Sequence, residues 1–171
     1  MNYLILGNAL CFVSSIIMLL MGFIKRKRRF LLAQSGMNAI FIAGNLCLGG
    51  ISGAITNAVT MLRNFYSLRW ELGRWAKLVF IAIQLGLAAF FGCDTLIQWL
   101  PIVGACVFTW FMDTEDMVLL KAIVIGTQIL WAIYDFSIRN YATVPFDIGA
   151  AVTNAIGIVE ILRARTKTKK E

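Results

Sequence analysis

From Tyr3 to Ile24 the chain carries no charged side chain, and five basic residues, Lys25 to Arg29, follow at once. A helix needs about 20 apolar residues to cross the hydrocarbon of a bilayer. A cleaved secretory signal carries its basic residues before the apolar run, not after it. The run therefore reads as a retained helix whose carboxyl end faces the cytoplasm. Runs of this kind recur along the 171 residues. Sixty per cent of the chain is apolar, 15% is charged and the mean hydropathy is +0.78. Soluble domains carry about 25% charge. These values argue against a soluble monomer, a disordered chain and a nucleic-acid-binding protein.

Further spans are expected at 30–48, at 51–68 after the Gly49-Gly50 turn, and at 76–92. Three more are expected at 96–112, 117–137 and 148–162. Residues 69–75 form an interfacial loop, Asp94 lies in the next one, and Asp113 to Asp116 break the pattern again. A longer loop is expected from Arg139 to Asp147, around Pro145. The expected fold is an all-α membrane protein, a bundle of seven transmembrane helices. With the N-terminus outside, fifteen of the sixteen basic residues fall on the cytoplasmic side, and only Arg139 falls outside. That is the distribution the positive-inside rule demands. Tyr3, Trp99 and Tyr141 then sit at the outer interface, and Tyr66, Trp70, Trp75 and Trp110 at the inner one. Amphipathic rings favour headgroup depth.

Gly53-Ala-Ile-Thr-Asn57-Ala-Val in the third span matches Ala150-Ala-Val-Thr-Asn154-Ala-Ile in the seventh. Both segments stand third in a group of three spans and run the same way. This predicts a 3+1+3 arrangement of parallel repeats, related by an axis along the membrane normal as in SWEET-type transporters. The divisions are 1–68 for the first three-helix repeat and 69–95 for the interfacial loop and linker helix. The second repeat is 96–163, and 164–171 is a basic cytoplasmic tail.

The stretch from Leu48 through Asn57 to Leu62-Arg63-Asn64-Phe65 resembles the YgjV family of bacterial inner-membrane proteins. So do Leu100-Pro101, Asp113-Thr114, Leu119-Leu120, Trp131-x-x-Tyr134 and the final helix with Gly149. The resemblance covers most of the chain and implies an inner-membrane location. In organisation that family is similar to the wider PQ-loop and SWEET group, which moves small polar solutes. Trp131-x-x-Tyr134 resembles that group's Trp-x-x-Tyr-Gly, with Asp135 in place of the glycine. By the same resemblance Asn57 and Asn154 correspond to the asparagine on the third helix of each repeat that faces the solute. Pro101 is followed by Ile102 rather than Gln, and the first span has no proline, so the resemblance does not carry that group's hinge.

Polar groups inside a span must face protein or a wet cavity, because hydrocarbon offers no hydrogen bond. Gln34, Asn38 and Asn45 share one helical face; Asn57, Thr60 and Asn64 form a second stripe. Gln128, Trp131 and Asp135 form a third, with Thr153 and Asn154 on the last span. Asn38, Asn57, Gln128, Trp131 and Asn154 are the expected substrate-binding residues, converging on a midplane pocket of amides with an aromatic wall. Such a pocket suits a neutral polyhydroxyl or heterocyclic solute, since amides both donate and accept. The competing reading makes these side chains interhelical glue, worth roughly 0.6–2 kcal/mol each. Gly44, Gly53, Ala54, Gly149, Ala150 and Ala151 are expected at close helix contacts.

Arg63, Asn64, Tyr134, Asp135 and Glu160 are the expected gating residues. Arg63 and Glu160 occupy equivalent repeat positions and are candidates for an ion pair closing the inner mouth, with snorkelling as the alternative. Asp135 is either a proton-coupling carboxylate or solvated at the outer interface. No histidine, nucleophile triad, phosphate loop or paired intramembrane carboxylate is evident, and the four cysteines are isolated. No enzyme activity, metal or other cofactor is therefore expected. The expected partners are the bilayer and a small polar solute, with a second copy of the chain left open. The function expected is a carrier of a small neutral polar solute working by alternating access. The alternative is a non-transporting membrane scaffold or accessory subunit.

Overall fold

The computed structural model describes residues 2–21 and 27–168. Lys25 and Arg26 of the basic cluster and Lys169 and Lys170 of the basic tail therefore lie outside the described residues. Seven α-helices and no strand occur among those that are described. They are α1 (Tyr3–Met21), α2 (Lys27–Cys47), α3 (Ile51–Ser67), α4 (Arg74–Phe90), α5 (Leu96–Phe111), α6 (Met117–Ser137) and α7 (Val144–Thr168). By length and apolarity α1, α2, α6 and α7 can each cross a membrane. The helices α3 and α4 have 17 residues each and α5 has 16.

Local chemistry sets the ends. Gly49, at φ 75°, turns α2 into α3, in a conformation that costs an L side chain strain. Thr95 and Gln98 close a capping box at the start of α5. Asp116 caps α6 by accepting from the Val118 N–H at 3.0 Å. The last helix corrects the sequence expectation. It starts at Val144 rather than at 148, so Asp147 lies in its first turn and not in a loop. Pro145 is the reason, because its fixed φ and missing N–H suit a first helical turn. The Thr143 carbonyl starts the helix by accepting from the Phe146 and Asp147 N–H groups.

Each helix packs on its sequence neighbour within two sets, α1–α2–α3 and α5–α6–α7, and α4 lies against both α3 and α5. The helices α1 and α2 approach closely because their contact is made of small residues. A Cβ added at Gly44 would lie 2.5 Å from the Cys11 sulfur, and Ser14 donates to the Met37 carbonyl. Gly53 is buried in the same manner against α6, whereas Gly149 is exposed with open space beside it. The expected close contact at Gly149 is thus not made.

The molecule is polar inside and apolar outside. Asn38, Asn45, Ser52, Thr56, Asn64 and Gln84 are buried, while Leu20, Leu46, Leu62, Phe90, Val103, Ile133 and Ile156 are exposed. A surface of this kind is stable against hydrocarbon and unstable against water.

The two sets meet along two unlike seams. One is continuous: α3 packs on α5, with α4 over both. It carries hydrogen bonds from Arg63 to Thr109 and from Gln84 to Thr56. The other lies at the end of the bundle that holds the N-terminus. There Asn8 of α1 donates to the Arg139 carbonyl and accepts from the Ala142 N–H. Phe12 meets Phe146 edge-on at 5.9 Å. A few contacts to the α6–α7 turn hold this seam.

Candidate functional site

The amide stripe of α2 is the spine of the site. Its antiparallel register with α3 is fixed at one end by Asn64, whose Nδ2 donates to the Gln34 Oε1 at 2.9 Å. At the other end Asn45 lies against Gly53. Asn38 stands between them, opposite Thr60 by that register. Asn38 is 2% exposed and Asn45 is 1% exposed. The Asn38 Nδ2 and the Asn45 Oδ1 both lack a hydrogen-bond partner. Native proteins pair nearly all buried polar atoms, and an orphan calls for a cause. One stripe on one helix thus holds an unused donor and an unused acceptor.

Tyr134 of α6 stands at the end of this stripe. Its hydroxyl accepts from the Gly53 N–H at 2.9 Å and so occupies one of the free donors in the first turn of α3. Gly50, the residue before α3, provides no side-chain cap. A Cβ there would lie 2.6 Å from the tyrosine hydroxyl, so only glycine admits the ring. Trp131 packs edge-on against Tyr134 at 5.8 Å. Beyond Tyr134 a cleft of about 440 Å³ opens at the N-terminal end of the bundle. It is lined by Leu4, Cys47, Leu48, Ser137, Ile138 and Arg139, which come from both helix sets. Ile138 lines the cleft and also lies against Gly50, so Tyr134 and Asn45 stand directly behind its wall.

The expected site residues divide into two groups. Asn38, Asn64, Tyr134 and Asp135 are buried at or beside the spine. Gln128 and Trp131 are half-buried on α6. Asn57 and Asn154 behave alike but apart: each donates its amide four residues back, to the Gly53 carbonyl at 2.9 Å and the Ala150 carbonyl at 2.8 Å. They share no hydrogen bond. The helix α3 packs on α2, α4 and α5, whereas α7 packs on α6. The Asn154 Oδ1 lies 3.5 Å from the Lys121 ammonium. Arg63 and Glu160 are not joined either. Arg63 is 3% exposed and donates to Thr109 at 2.8 Å, while Glu160 is exposed on α7. The candidate ion pair is not formed, because the two equivalent positions face different neighbours.

At the opposite end the ion pair found is Lys77 with Asp113, and Lys77 also donates to the Trp110 carbonyl at 3.0 Å. Asp113 lies between α5 and α6. The hydrogen bond from Lys77 holds its carboxyl below the ordinary range.

Sequence reading missed one constellation. Asp135 and Asp147 are 2% and 4% exposed, and their carboxyls meet within hydrogen-bonding reach. Asp135 accepts from the Asn140 Nδ2 at 3.1 Å, and Thr143 donates to the Asn140 Oδ1 at 3.0 Å. Pro145 concealed the pair, by making Asp147 read as part of a solvated loop. The signal that was available is Asp-x-x-x-x-Asn-x-x-Thr-x-x-x-Asp across a short turn, residues 135 to 147.

A family model described as "Bacterial inner membrane protein", Imp-YgjV, matches residues 5–165. No curated protein and no solved structure matches the chain.

Proposed function

The chain belongs to the Imp-YgjV family of bacterial inner membrane proteins, and from that premise we propose that it is a carrier of a small neutral polar solute. One observation supports this reading above others. The α2 stripe buries an unused amide donor at Asn38 and an unused amide acceptor at Asn45. Leaving such atoms unpaired costs about 1–3 kcal/mol each. A polyhydroxyl solute, with one hydroxyl accepting from the Asn38 Nδ2 and another donating to the Asn45 Oδ1, relieves both costs while it is bound and restores them when it leaves. A site that is satisfied only transiently is what a carrier requires.

The route follows from the seams. Solute enters the cleft from the periplasmic side, passes Tyr134 and Ile138, and reaches the α2 amides. The two sets of three helices act as the parallel repeats of a 3+1+3, SWEET-like arrangement. The α3–α5 seam, bridged by α4, serves as the fixed hinge. The seam between α1 and the α6–α7 turn serves as the gate, since few contacts need to break there. Trp131, Gln128, Asn57 and Asn154 are the further solute contacts in this reading. The carrier has no enzyme activity in this reading.

Counterflow in proteoliposomes across a panel of polyols, sugars and neutral heterocycles tests the reading. Flux of at least one member, lost in Asn38→Leu, is expected. Absence of flux for the whole panel overturns it.

A second reading has its own support. Asn64–Gln34, Gln84–Thr56 and Arg63–Thr109 are hydrogen bonds between helices, as amide glue in a non-transporting scaffold would make. A scaffold predicts that a partner co-purifies and that loss of these bonds alters stability alone.

A further inference from the structure

We propose that Asp135 and Asp147 form a one-proton site, and that the shared proton latches the α6–α7 turn onto α1. The argument begins with valence. Ionised carboxylates only accept hydrogen bonds, so two carboxyls in contact form a bond only when one of them carries a proton. Without it the Asp147 Oδ2 is a buried acceptor facing no donor, as the arrangement of atoms leaves it. Among the described residues no lysine or arginine is ion-paired with either carboxyl. Two uncompensated charges at 2% and 4% exposure cannot be held side by side.

The surroundings select a proton over a larger ligand. From α1 the pair faces the fully buried Cys11 thiol, and Cys47 of α2 lies beyond that sulfur. On α6 its neighbour is Tyr134, and the Cys93 thiol of the α4–α5 loop lies within electrostatic range of that phenol. The turn contributes the neutral Asn140 and Thr143, and the Arg139 side chain is exposed. No third carboxylate, and no metal-holding group of acidic, thiol or imidazole side chains, is present among the described residues.

The same turn makes the latch. Asn140 bonds the Asp135 carboxyl, and two residues on, the Ala142 N–H reaches Asn8 of α1. Arg139, whose carbonyl is the other Asn8 partner, also lines the cleft, so water reaches the turn from that side. Loss of the proton sets two like charges in contact, drives the turn outward and frees α1. This rests on the carrier reading for its use, because the seam it controls is the proposed gate.

Two solute-free measurements on the full chain in detergent test it. Infrared spectra are expected to contain a protonated carboxyl C=O band that is missing in Asp135→Asn and in Asp147→Asn. Hydrogen exchange is expected to show protection of residues 138–147 falling about tenfold or more as pH rises. In the double variant D135N/D147N, which cannot ionise, that protection should not change with pH. A spectrum without the band overturns the proposal, as does an equal pH response in wild type and double variant. So does protection that follows sodium concentration at fixed pH, which would make the ligand a metal cation. A chain that transports nothing leaves both readouts intact, so failure of the carrier reading and failure of this one are separable.

Discussion

Buried amides are of two physical kinds in this chain, and substitution tells them apart. Asn64 has a partner in Gln34, so Asn64→Leu leaves a buried acceptor and is expected to destabilise the protein by roughly 0.6–2 kcal/mol. Asn38 leaves its Nδ2 unused, so Asn38→Leu is expected to leave thermal stability unchanged or raised while flux disappears. Melting curves and counterflow on the two variants check this. An equal loss of stability in both would assign Asn38 to glue. Tyr134→Phe removes the acceptor of the Gly53 N–H and should cost about 1 kcal/mol. Gly50→Ala should cost more, about 1–3 kcal/mol, because the Tyr134 ring and the Ile138 side chain must both give way. The stripe itself was readable from spacing: Gln34, Asn38 and Asn45 differ by four and seven, and helical geometry then requires one face. Which of their atoms find partners was not readable, since that depends on the residues α3 and α6 bring opposite.

At the level of helices, hydropathy located six of the seven to within a few residues, because charged stretches or, between α2 and α3, a glycine turn interrupt the apolar runs. It failed at α7, where Pro145 and Asp147 imitate a loop. A proline in a first turn and a proline in a turn have the same sequence signature, and only the packing of Phe146 on Phe12 distinguishes them here. The equivalence of Arg63 and Glu160 does not bring them together, since a repeat preserves position along a helix and not the neighbour it meets. The Lys77–Asp113 contact ties α4 to the end of α5. Asp113 has its carboxyl held below the ordinary range by that contact. A depressed folded-state value stabilises above the unfolded value and is lost as pH falls through the folded one. Stability should therefore decline on acidification below the ordinary carboxylate range, and Asp113→Asn should remove that part of the slope. The side chain of Asp113 is 64% exposed, so the effect at neutral pH belongs with exposed pairs, roughly 0.2–1 kcal/mol. Acid titration of the melting temperature in wild type and variant measures it.

For the molecule as a whole, seven membrane crossings would put the two ends of the chain on opposite faces. The basic residues then predict a periplasmic N-terminus and a cytoplasmic C-terminus. Reporter fusions at each end are expected to give that orientation. The gate makes a further demand: Asn8 and Ala142 are bridged across it at 3.1 Å. A disulfide between cysteines introduced at both positions is expected to abolish flux, and reduction to restore it. Flux through the cross-linked form would remove the gate from this seam.

The middle of the chain has one more consequence. At 1.5 Å per residue, helices of 16 or 17 residues reach only about 25 Å, against roughly 30 Å of hydrocarbon. If α3, α4 and α5 also cross, as the seven-span reading expects, lipid beside them must thin or those helices must draw their flanking polar groups inward, while α6 and α7 tilt to fit the same leaflet pair. The annulus is thus uneven around the circumference, and acyl chains shorter than the membrane average are expected to stabilise the hinge side selectively.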